Sequence, residues 1–431
     1  MPTSSHADVR RLLAAAPTPG RPLRVVAAGN GAVPWALLRE LDEATTGRDV
    51  ELFMLNAPLG IPDRAGIVPV TPFAGPGMRR HPATRYLPAR LSHVPRLLST
   101  TFVPDLVLVT TSPPWKGRVS LGMEVNILPA ALESCRAHGG RVLAEQHDDV
   151  PYTFGDGEVV LDQLDALWEP PPDRAAPSTA GAGPRGTGVP PAPGRSAGGD
   201  PIEAIGRRIA ERVPSGATLQ MGIGAVPDAV VPRLAARRSL AVWTEMVSDG
   251  VLDLADAGAL DPDRPVVTSF AIGGPRLRGW LHRNHAVRML RTEVVNDPTR
   301  IAANPAMTSI NSALTVDLYD QANASHLGSR LHSGLGGQCD FVTGAMQSAG
   351  GQSLIALRSW HPRADASAVV PLLEGPVTSF QHTAVVTEQG VAEMFGADSA
   401  RQARALIEQA AHPRVRHELW DEAEAMGLAA R

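Results

Sequence analysis

Short uninterrupted runs of Val, Leu, Ile and Ala alternate along the chain with longer stretches in which apolar residues recur every three or four positions. The runs include LRVVAAG, VELFML, LVLVTT and RVLAEQ before residue 150, and LAVWTEM, VVTSFAIG and SLIALRS after residue 239. A strand that is apolar at every position is buried on both faces, and strands that alternate with helices run parallel. The pattern predicts an α/β protein built on open parallel sheets.

One segment breaks the pattern. Residues 170–201 are rich in Pro, Gly, Ala and Ser with no apolar period, which reads as a linker. Directly after it, Asp200 can cap a helix with Pro201 in its first turn, apolar positions at Ile202, Ile205, Ile209 and Val213, and Gly216 as its stop. The chain is therefore expected to hold a half-domain over 1–169, the linker, and a second half-domain over 202–431.

The halves share a spelling. Gly29-Asn-Gly-Ala-Val-Pro follows a strand and precedes a helix in the first half, and Gly222-Ile-Gly-Ala-Val-Pro does so in the second. Duplication of one open α/β domain is the economical reading. A strand-to-helix turn with two glycines points free N–H groups at an anion or oxyanion, although the motif alone serves a tight turn equally well. The neighbourhoods differ. In the second half the next strand ends in VWTEMVSDG, which puts Glu245 at a carboxyl end where such sheets bind ligands. The first half has ELFMLNAP there. A carboxylate in an apolar strand is costly unless partnered or used. Glu245 is thus either a catalytic acid or a group satisfied by amides at a helix start. SGLGGQCDF at 333–341 is dense enough in glycine to line a site with amides, Asn323 can donate to a carboxylate or tetrahedral oxygen, and Glu388 reads as a structural cap.

Composition narrows the classes. A net charge of −4, with 43% apolar and 19% charged residues, gives no basic field for nucleic acid. No apolar run is long enough for a membrane span, and the N-terminus lacks a signal-peptide core, so a cytoplasmic protein is expected. Cys135 and Cys339 stand alone without metal-ligand spacing and read as small buried hydrophobes; no metal is expected.

Taken together, LQMGIGAVPDAV, WTEMVSDGVLDL, VVNDP, SINSALTVDL, SGLGGQCDFVTGA, VVTEQGVAEM and LIEQAAHPRVRHEL resemble, in order and spacing, the acetyl-CoA hydrolase/transferase family, which includes 4-hydroxybutyrate CoA-transferases. SPPWKGRVSLG and AEQHDDVPYTFGD add to the resemblance in the first half. It implies two related half-domains with the active site between them, acyl-CoA and a free carboxylic acid as substrates, no permanently bound cofactor, and a homo-oligomer, dimer or larger. By the same resemblance Glu245 is the catalytic glutamate, and Gly222, Gly224, Val226, Gly334, Gly336 and Gly337 belong to the oxyanion and CoA-binding loops. Trp243, His332 and Arg358 are candidates for the acyl pocket. The sequence departs from the family pattern at Trp243, Asp320, Ser325, Gln389 and Arg358–Trp360, which points to a changed acyl specificity or to drift. A hydrolase using the same glutamate is the nearest alternative, and an inactive CoA or sugar-phosphate sensor the more distant one.

Overall fold

In the computed structural model, residues 3–15, 20–172 and 200–428 are described. The greater part of the expected linker, 173–199, lies outside them. The described residues form two units: those up to 172 with Pro265–Val295, and 200–264 with those from Asn296 on.

The first unit is built on seven strands: β1 (Leu23–Ala27), β2 (Val50–Phe53), β3 (Ile67–Thr71), β4 (Arg85–Tyr86), β5 (Leu106–Thr111), β6 (Arg141–Gln146) and β7 (Ala166–Trp168). Their order is β4-β3-β2-β1-β5-β6-β7, parallel throughout. Chain direction across the sheet reverses between β1 and β5. The Gly29–Gly31 turn leaves the carboxyl end of β1 at that reversal and leads to α1 (Trp35–Ala44). Backbone crowding explains the first glycine: a Cβ on Gly29 would lie 2.0 Å from the Leu55 carbonyl oxygen.

The second unit carries β8 (Thr218–Met221), β9 (Ala241–Val242), β10 (Met307–Ser312), β11 (Thr315–Asp317), β12 (Gln321–Asn323), β13 (Gln352–Ala356), β14 (Val369–Val370), β15 (Ser379–Phe380), β16 (Ala384–Val386) and β17 (Val391–Glu393). The main sheet runs β9-β8-β10-β13-β16-β17, parallel except for the last pair. Beside it lies a small sheet, β14-β11-β12-β15. Side chains alternate to opposite faces as strand geometry requires. Leu354, Ala356 and Val386 pack with Ile205, Ile209, Val230 and Leu234 on one face, while Ile355 and Val385 pack with Leu406 and Ile407 on the other. The first of these clusters holds α2 (Pro201–Arg212), capped by Asp200 through the Ile202 amide at 2.9 Å as its sequence predicts, and α3 (Ala225–Leu234). Here the order reverses between β8 and β10, and the second Gly-x-Gly turn leaves β8.

Two expectations change. VVTSFAIG, read as a strand of the second half, joins neither main sheet: Val266–Thr268 pairs in parallel with Val287–Met289. Residues 265–295 group with the first unit because its backbone binds them, with Val125 and Asn126 amides donating to the Ser269 carbonyl at 3.0 Å and the Thr292 amide to the Asn126 carbonyl at 3.0 Å.

The two repeated turns are in different states. Around the first, Glu124 is fully enclosed: Oε1 accepts from the Gly29 amide at 3.0 Å, from Asn30 Nδ2 at 3.0 Å and from Asn126 Nδ2 at 3.2 Å, and Oε2 accepts from the Asn30 amide at 2.9 Å. Burial pushes the Glu124 carboxyl above its ordinary range, against these donors, which favour the charged form. Glu124→Ala strips the acceptor from two buried backbone amides and two side-chain amides. It is expected to destabilise the protein by about 3 kcal/mol, read as a lowered urea midpoint.

Candidate active site

Glu245 stands three residues past β9, and its segment is tied to the end of β8. The Trp243 amide continues the ladder to the Leu219 carbonyl at 3.1 Å. Thr244, buried, donates through Oγ1 toward both the Met221 and Met246 carbonyls at 3.1 Å. β8 is braced in turn: Ser309 Oγ and Asn311 Nδ2, on β10, donate to Gln220 Oε1 at 2.7 and 3.1 Å. Glu245 is thereby fixed beside the turn at which the sheet order reverses.

The carboxylate meets the start of α4 (Gln338–Gln347). Gly337 caps that helix, and its amide donates to Glu245. Asn296, wholly buried, donates through Nδ2 to Glu245 Oε2 at 3.2 Å and lies 3.5 Å from Asp340 Oδ2, in the first turn of α4. Among the described residues the Asn296 Oδ1 atom is buried without a hydrogen-bond partner. Gly337 is obligatory for packing reasons. A Cβ there would sit 1.9 Å from Glu245 Oε2 and 2.2 Å from Asn296 Nδ2.

Burial dominates the electrostatics and raises the Glu245 pKa to about 7; the Asn296 hydrogen bond opposes the rise, the negative charge of Asp340 adds to it, and the Gly337 amide opposes it. Glu245 is half-buried, and two donors hold its carboxylate in one orientation.

At the second turn Gly224 has φ 120°, a conformation open only to glycine, and Cβ atoms on Gly222 or Gly224 would meet nothing within 4 Å. The first helical bond of α3 runs from the Asp228 amide to the Gly224 carbonyl at 3.0 Å. The Ala225 and Val226 amides therefore precede the helix ladder, and Pro227 has no N–H. This leaves an anion-facing turn of the kind that Glu124 fills in the first unit.

The other expected site residues separate. In the glycine loop, Gly334 is buried and Gly336 takes φ 57°, which turns the chain into α4. Asn323 bonds its own turn: its Oδ1 accepts the Ser325 and His326 amides, both at 3.0 Å, and its Nδ2 donates to the His326 carbonyl at 2.8 Å. These local bonds occupy the side chain in closing its own turn. Trp243 and His332 are half-buried, and the His332 amide is bound to the Ser325 carbonyl at 2.8 Å. Arg358 turns to Asp200, the cap of α2, at 4.0 Å. Glu388 accepts the Ser359 amide at 2.9 Å and the Ser359 hydroxyl, a structural tie of the kind expected of it. Both cysteines are buried, and burial pushes the Cys135 thiol up to about 12.

Sequence reasoning missed Asn296 and Asp340, although both lie in quoted stretches. Asn296 is masked by its neighbours: Asp297 caps the helix Pro298–Ala302, so Asn-Asp-Pro reads as a helix start. An acidic residue in a first helical turn is ordinary, so Asp340 gave no signal beyond following a glycine loop.

Residues 273–423 match the acetyl-CoA hydrolase/transferase C-terminal domain. The chain is 35% identical, over 91% of its length and 82% of the relative's, to a succinyl-CoA:acetate/propanoyl-CoA:succinate CoA transferase from Fasciola hepatica. It is 34% identical to a 4-hydroxybutyrate coenzyme A transferase from Clostridium kluyveri, over 78% of this chain and 76% of that one. Among solved structures, RipA from Yersinia pestis superposes with a TM-score of 0.83 at 28% identity, over 98% of this chain and 97% of that one.

Proposed function

The chain belongs to the acetyl-CoA hydrolase/transferase family, and from that premise we propose that it moves coenzyme A from an acyl thioester to a free carboxylate with Glu245 as nucleophile. The observation that carries the proposal is a half-buried carboxylate clamped between the Gly337 amide and Asn296 at the reversal point of a parallel sheet.

A Glu245 oxygen attacks the thioester carbonyl. The tetrahedral oxyanion collapses, the C–S bond breaks, and an acyl-glutamyl anhydride and CoA thiolate form. The thiolate then attacks the glutamyl carbonyl, releasing the original acid as its carboxylate and leaving CoA on the enzyme as a glutamyl thioester. An incoming carboxylate runs the two steps backwards, giving ping-pong kinetics. Partial burial of Glu245 weakens the solvation that would blunt a carboxylate nucleophile. The oxyanions need donors already in place; the Ala225 and Val226 amides and the glycine loop ending at Gly337 are suited to supply them.

Intact-mass and peptide-mass analysis after incubation with a panel of acyl-CoAs, without acceptor, tests the reading. A CoA adduct on Glu245 is expected. Free CoA accumulating without an adduct assigns the chain to the hydrolases of the family, and CoA binding without turnover makes it a sensor.

The pH dependence follows from the same carboxyl. Only ionised Glu245 attacks, so kcat/KM is expected to rise about tenfold per pH unit below about 7 and to level above it. An acid limb at the ordinary carboxylate value would refute the burial argument.

A further inference from the structure

We propose that buried Asp320, His382 and Ser379 with half-buried Gln338 form a positioning relay that fixes the start of α4, and through it the Gly337 amide, against Glu245. Asp320 lies in the turn between β11 and β12, Ser379 on β15, His382 in the loop before β16, and Gln338 opens α4. Asp320 Oδ1 is 2.7 Å from His382 Nδ1, His382 Nε2 is 2.9 Å from Ser379 Oγ, and Gln338 Nε2 donates to Ser379 Oγ at 3.1 Å. Asp320 Oδ2 also accepts the His382 backbone amide at 2.7 Å. Asp320, Ser379 and His382 are each only 1% exposed.

The donors set the direction of the chain. Gln338 Nε2 can only donate, so the Ser379 oxygen accepts from it; with His382 Nδ1–H donating to Asp320, His382 Nε2 is an acceptor and the Ser379 hydroxyl donates to it. Four groups on four segments are thus satisfied by one another, and any displacement of Gln338 breaks the sequence at its end. Gln338 is the residue after Gly337. Asp320 also holds φ 59°, where a non-glycine residue is strained, so its backbone cost is offset by what its carboxylate holds. Ser, His and Asp here have the spacing of a nucleophile triad. Burial of Ser379 and the engagement of its oxygen by Gln338 assign the group to positioning instead.

The inference rests on Glu245 as nucleophile, and it is tested on the full-length chain with Ser379→Ala and Asp320→Gly. Glycine takes φ 59° without strain, so the second variant removes the carboxylate while relaxing the backbone. Hydrogen exchange over 336–340 is expected to quicken about tenfold or more in both variants, since the opening of this segment no longer breaks the relay. The groups facing Glu245 are the Gly337 amide, Asn296 and the carboxylate of Asp340, and the amide favours its charged form. Loosening that amide therefore moves the acid limb of kcat/KM to higher pH, with KM for acyl-CoA unchanged. Exchange and acid limb both equal to the parent's, with only a lowered Tm, overturn the relay. Labelling of Ser379 by a fluorophosphonate overturns it as well, because the serine would then be a nucleophile in its own right. If the parent forms no CoA adduct at Glu245, the nucleophile reading fails, and the exchange comparison still decides the relay.

Discussion

Glu245→Gln is expected to lower kcat by at least about 10³-fold and to make the protein more stable at pH 8. Glutamine keeps the shape and still accepts from the Gly337 amide. Its new N–H groups can be met by the otherwise unbonded Asn296 Oδ1 once that amide turns over. What disappears is the nucleophile, and with it any CoA adduct. The gain in stability follows from the raised carboxyl. In the unfolded chain this group ionises near 4.5, and in the folded protein near 7. Between those values unfolding releases a proton, so native stability falls as pH rises from about 4.5 to about 7 and is then constant. Above that window the parent carries a cost of the order of 3 kcal/mol that the glutamine variant lacks. Thermal melts of the two proteins are expected to coincide near pH 4 and to part as pH rises. Equal activity in the variant would remove Glu245 from the chemistry, and coincident melts at pH 8 would show that its carboxyl is not buried as described.

Gly337→Ala is the second large effect. A methyl carbon 1.9 Å from Glu245 Oε2 cannot be accommodated unless Glu245, Asn296 or the loop moves by more than 1 Å. Misplacement on that scale costs about 10²-fold in rate, and loss of the amide bond adds to it, so kcat is expected to fall about 10²- to 10³-fold. A helix-capping glycine at φ −94° has no backbone need to be glycine, which makes the clash with Glu245 the decisive term. Gly222→Ala is the control for folding: its Cβ meets nothing within 4 Å, and its melting temperature is expected to match the parent's. A Gly337→Ala enzyme with full kcat would mean that the loop carrying Gly337 does not hold the working carboxylate.

Local signals in the sequence were sufficient for the α/β architecture and drew attention to Glu245. Fully apolar runs made the parallel sheets legible, Asp200-Pro201 marked its helix, and a lone acid at the end of an apolar strand pointed to the site. The partners of Glu245 were not legible, because Asn296 and Asp340 come from distant segments and each has a sufficient local role as part of a helix start. Asn323 shows a second local role: a polar side chain among small residues suggests a substrate donor, and Asn is also the residue best able to bond its own backbone, as it does here. That residues 265–295 group with the first unit was not legible, because strand propensity says nothing about which unit's backbone a short strand will bind.

The state of the first Gly-x-Gly turn sets how the protein answers to its surroundings. Glu124 is a ligand carried by the chain itself, present at an effective concentration that no dissolved acid can rival. The first turn is therefore plugged from within, and titration of the protein with a carboxylic acid is expected to leave it unoccupied by the added acid.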